Sequence, residues 1–69
     1  MANIQLLKAR MAEAGAEHFV KELSEVLHIT MTTASKKMTN KRPFKIQEVK
    51  VLAEKYNLKN QDIKKIFFD

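Results

Sequence analysis

The stretch VKELSEVLHITMTTASKKMTNKRPF, residues Val20 to Phe44, decides how the chain is read. Val20, Leu23 and Leu27 recur at i, i+3 and i+7, which puts them on one face of a helix ending near His28. A second helix follows at once. Thr30 stands where an N-cap hydroxyl accepts a hydrogen bond from the amide of Thr32 or Thr33, and Met31, Ala34 and Met38 then share an inward face. Two short helices joined by a turn of a few residues form a helix-turn-helix. The turn, His28 to Thr30, calls for a left-handed residue that glycine usually supplies. His28 in that place carries strain of about 1 kcal/mol, although histidine is among the residues that tolerate it.

Working outward, Asn3 caps a first helix through Ala14, with Ile4, Leu7, Met11 and Ala14 inward, and Gly15 ends it. The helix before the turn runs from Ala16 to Leu27, starting near Glu17, and Ser24 on it is small enough for the next helix to cross closely. The helix after the turn spans Met31 to Thr39. Asn40 suits the left-handed cap beyond it, Pro43 stops it, and Phe44 folds back into the core. Ile46, Val49, Leu52, Ala53 and Tyr56 mark a fourth helix ending before Asn57. Asn60 caps a short fifth one that carries Ile63, Ile66 and Phe67. Ile66 and Phe68 together are more apolar surface than one small domain covers, which points to a partner.

Composition sets the bounds. The 69 residues make one all-α domain, and 45% of them are hydrophobic, enough to fold alone. A domain of this size buries roughly 60% of the surface its unfolded chain exposes. One Gly, one Pro and no cysteine argue against linkers, disulfides and thiolate metal sites. Apolar runs reach only two or three residues, too short for a signal core or a membrane span. A soluble protein of the bacterial cytoplasm is expected, with no cofactor and no metal. Nothing in the last residues reads as a natural stop, so a longer parent chain is a further expectation.

The net charge of +5 is unevenly spread. From His28 to Gln47 there is no Asp or Glu, while Lys36, Lys37, Lys41, Arg42 and Lys45 crowd ten residues. Such a stripe is the footprint expected for a phosphate backbone, or else a solvated face that keeps a small protein soluble. Lys41 and Arg42, held on a loop between helices, lead the expected phosphate contacts, with Lys37, Lys45, Thr33 and Asn40 beside them. Lys45 at a helix start opposes the macrodipole unless an anion is bound. His18 has two readings, a phosphate contact at a helix start or a surface histidine without a task. On the outward face of the third helix, Thr32, Ser35, Lys36 and Thr39 can approach base edges, and Met31 can meet a thymine methyl.

The segment LHITMTTASKKMTNKRPF, with the amphipathic helix after it and the ending IKKIFFD, resembles the Cro/CI-type, lambda-repressor-like (XRE) helix-turn-helix regulators, particularly short phage-encoded ones. The likeness covers essentially the whole chain. Ser24 matches the family's compact residue in the positioning helix. His28 stands where the family has glycine, Ala34 where it has a larger aliphatic, and Val20 where it has Gln; the link after Gly15 is about two residues longer than usual. The resemblance implies a compact five-helix bundle in which the second and third helices form the helix-turn-helix. It also implies Met31, Thr32, Ser35 and Lys36 toward the major groove, and a homodimer on paired operator half-sites roughly 34 Å apart.

The leading expectation is therefore a sequence-specific repressor of double-stranded DNA, phage or prophage encoded and Cro-like, acting by operator occupancy. Ile63, Ile66, Phe67 and Phe68 are its expected dimer surface. The alternative is an antirepressor-like modulator that keeps the bundle but binds another phage regulator. Catalysis is not expected, since Ser24, Ser35, His18 and His28 fall on short helices or turns that offer no oriented triad.

Overall fold

The side-chain oxygen of Asn3 accepts a hydrogen bond from the amide of Leu6 at 3.1 Å in the computed structural model, which describes residues 1–68. That cap starts α1, Ile4–Glu13, whose Leu7 and Met11 are wholly buried one turn apart. Ala14, expected inward, is exposed because the helix has already ended. Gly15 follows at φ +95°, and a methyl group placed on it would meet no atom within 4 Å, so backbone conformation alone favours glycine there.

The next helix, α2, is Phe19–Leu27 and begins later than the expected Glu17. The amide of Ala16 donates back to the Met11 carbonyl at 3.0 Å and its methyl is buried, so the residues before Phe19 complete a turn instead of extending a helix. His28 ends α2 in the left-handed conformation, φ 56° and ψ 46°. Thr30 then caps α3, Met31–Met38, accepting from the Thr33 amide at 3.2 Å. Helices α2 and α3 pack closely, with Leu23 and Ala34 fully buried and Ser24 nearly so. Ser24 turns its hydroxyl onto the Lys21 carbonyl at 2.7 Å, which satisfies the one polar group that a close helix crossing would strand.

Asn40, at φ 61°, turns the chain out of α3 as expected. Phe44 reaches the core edge and meets Phe67 edge-on, ring centroids 5.2 Å apart. Helix α4, Ile46–Lys55, buries Val49 and Leu52. Ile46, expected in that core, is 59% exposed; it is the first residue of the helix and projects beyond the packed stripe. Tyr56 closes α4 and donates its hydroxyl to the Glu22 carboxylate, tying α4 to α2. Burial, and then Glu22, push the phenol well above its ordinary range.

The last helix, α5, is Asn60–Ile63, running on into a wider π-type stretch, Lys64–Phe68. Its cap is Lys59, not Asn60: the Asp62 carboxylate accepts from the Lys59 amide at 3.2 Å and pairs with Arg10 of α1 at the same distance. An ionised carboxylate in the first turn competes better than an amide for that place. Ile66, expected as surplus surface, is fully buried. Its carbonyl accepts from the Asn3 amide at 2.6 Å, so the last turn closes over α1. The result is an all-α bundle of five helices, with no strand among the described residues and extents of 28 × 24 × 20 Å that leave room for a single core. No helix among them is long and apolar enough to cross a membrane.

Candidate nucleic-acid interface

Burial of Ala34 and Met38 fixes which way α3 faces. Met31, Thr32, Ser35, Lys36 and Thr39 are consequently all exposed. They line one open hollow with Val20 of α2 and Lys41 of the α3–α4 loop, and that lining contains two lysines and no carboxylate. Val20 and Met31 also border a second hollow with His18 and Lys21, which brings His18 to the edge of the same face. Thr39 spends its hydroxyl proton on the Ser35 carbonyl at 2.9 Å, so it offers a ligand a methyl and an oxygen lone pair.

The expected phosphate contacts divide. Lys41, Arg42 and Lys45 are exposed, and His18 is exposed at the start of α2. Lys37 is not: its side chain is 2% exposed, and its ammonium donates to the Pro43 carbonyl at 2.9 Å and to Glu48 Oε1 at 2.8 Å. A cation so enclosed has no reach toward a ligand, which corrects its place among the phosphate contacts. It also lies 5.7 Å from the Phe44 ring centre. Asn40 is similarly committed, its side chain accepting from the Ala2 amide and donating to the Ala2 carbonyl, both at 3.0 Å. Thr33 is half-buried and its oxygen accepts from the Thr30 hydroxyl at 3.1 Å, so it serves the α3 cap.

Glu48 is the group that sequence reading missed. Its Oε1 accepts both from Lys37 and from the Lys45 amide, the latter also at 2.8 Å, so one carboxylate pins both ends of the loop that carries Lys41 and Arg42. Burial raises the Glu48 carboxyl, but the Lys37 ammonium, the Lys45 amide and the charges of both lysines outweigh it and hold the carboxyl below its ordinary value. The conflict of a lysine at a helix start is thus answered within the chain and does not by itself call for an anion. The signal was present as a glutamate at the third position of the helix, Glu48, from which a carboxylate reaches back to the amide of the residue before the helix.

Of the expected dimer surface, Ile66 belongs to the core and Phe67 is half-buried against Phe44. Phe68 is 59% exposed and, with Ile46, Ala53 and half-buried Ile63, forms a mostly apolar hollow edged by Lys50 and Glu54. Ile46 was the missed member of this patch.

Among the described residues no three His, Asp or Glu side chains gather as a metal site, and no buried side-chain nitrogen or oxygen lacks a hydrogen-bond partner. No family model, curated protein or solved structure matches the chain.

Proposed function

We propose that this protein is a sequence-specific double-stranded DNA-binding regulator of transcription, a Cro-like phage or prophage repressor that acts by occupying its operator and uses no catalysis. The observation that carries this reading is the exposed face of α3, free of carboxylates and flanked by Lys41 and Arg42. In it, α3 enters the major groove while the loop cations hold the phosphates on either side. Two chains bind half-sites roughly 34 Å apart, a span that bodies 28 Å long can bridge while touching. The Ile46–Phe68 hollow suits that contact, because Lys50 and Glu54 on its edge can pair reciprocally across a twofold axis.

The test is titration of duplex DNA at rising salt. With Lys37 withdrawn and Lys36 turned to base edges, Lys41, Arg42 and Lys45 are the phosphate-neutralising cations. Three contacts at about −0.9 each give a log–log slope of about −2.7 per bound chain. Lys41→Ala should weaken all sequences alike and flatten the slope by about one contact, whereas Thr32→Ala should change preference among sequences. A slope near zero on every duplex refutes the reading. The exposed Ile46 and Phe68 also suit an antirepressor-like modulator that docks on another regulator. A stable complex with such a partner, with no DNA binding at low salt, would select that reading.

A further inference from the structure

We infer that the Val20–Met31 end of the α3 face reads the C5-methyl group of a pyrimidine in the major groove. The inference rests on the DNA-binding reading above. From Met31 to Thr39 there is no Asn, Gln, Arg, Asp or Glu. The side chains that pair bidentately with adenine, or that accept from cytosine, are therefore absent from this helix, and Lys36 is its one exposed cation for a guanine edge. Specificity has to come from what is there.

What α3 presents first is Met31, its opening residue and 55% exposed, beside half-buried Val20. Residues at the start of a helix lying in the major groove are the ones that reach base edges. The apolar group displayed in that groove is the methyl of thymine, and a methyl at the same ring position marks 5-methylcytosine. A thioether is polarisable and unbranched, so it can close over a methyl without a fixed pocket shape. The same hollow is edged by Lys36 and Lys41 and holds no carboxylate, so its charge suits an apolar group carried on a polyanion better than a second copy of this cationic chain.

The experiment selects duplexes from a random library on the wild-type protein. The selected duplex is then titrated with thymine, uracil, 5-methylcytosine or cytosine at each pyrimidine position, against wild type, Met31→Ala and Met31→Leu. Met31 is largely exposed, so both variants should keep the wild-type melting temperature. At one position per bound chain, exchanging thymine for uracil should weaken wild type about fourfold, the effect of one methyl leaving water. Met31→Ala should erase that difference and Met31→Leu keep it. Equal binding of thymine and 5-methylcytosine would identify a reader of the methyl alone. Thymine above all three others would add a contact to its O4, and either result supports the inference. Indifference to uracil at every position of a duplex that the protein still selects overturns the inference and leaves DNA binding standing. No binding to any duplex at low salt overturns both.

Discussion

Enclosing an ammonium costs several kcal/mol unless it is both paired and hydrogen-bonded, and Lys37 meets both conditions through Glu48 and the Pro43 carbonyl. Glu48 is held below the ordinary glutamate value of 4.5, so the folded state binds fewer protons than the unfolded one in that range. Its contribution to stability is complete above that value and is lost as pH falls through the lower, folded one. Thermal melts between about pH 5 and about pH 3 should show wild type losing stability, and Glu48→Gln, with no charge to lose, declining less steeply. Glu48→Gln should also be about 1–3 kcal/mol less stable at neutral pH. Parallel pH dependence of the two proteins would exclude the role. Asp62 is held low as well, by the Lys59 amide, against slight desolvation, and by Arg10; it is common to both proteins. The burial of Lys37 was half legible: it lies three residues after Ala34 and beside Met38, on the inward side of α3. Its acid partner stands 11 residues away in another helix, a pairing that no local pattern encodes.

At the scale of elements, the ends of the helices were readable because caps are local chemistry. Asn3, Thr30, His28 and Asn40 each do what their residue type permits at that position. The starts of α2 and α5 were less readable because each depends on a distant or competing group, the Met11 carbonyl for one and the Arg10–Asp62 pair for the other. His28 gives the element-scale prediction. Replacing it with Gly removes the left-handed penalty, while glycine's greater freedom in the unfolded chain takes part of the gain back. His28→Gly should therefore raise stability by up to about 1 kcal/mol, measured by denaturant midpoint, with the α2–α3 geometry unchanged. A loss of stability would mean that the imidazole makes a contact the turn needs.

For the whole molecule, the C-terminal segment sorts its apolar residues into two tasks. Ile66→Ala should cost about 2–5 kcal/mol, since it empties a fully buried site. Phe68→Ser, at an exposed position, should stay within about 0.5 kcal/mol of wild type in melts but, on the proposed repressor reading, raise the protein concentration needed for two chains to occupy one operator. The opposite pattern would reverse the assignment of the two side chains. Sequence reading grouped them because a run of Ile-Phe-Phe at the end of a short helix has no repeat long enough to phase, and the π-type widening shifts the phase again. The face of α3 was legible for the converse reason, since Ala34 and Met38 fix its rotation within the helix itself. The bond from the Asn3 amide to the Ile66 carbonyl has a topological meaning. It closes the backbone into a non-covalent ring, in which the first helix and the last turn hold each other. Fraying of either end breaks that bond, worth about 1 kcal/mol, so the opening of one end weakens the hold on the other.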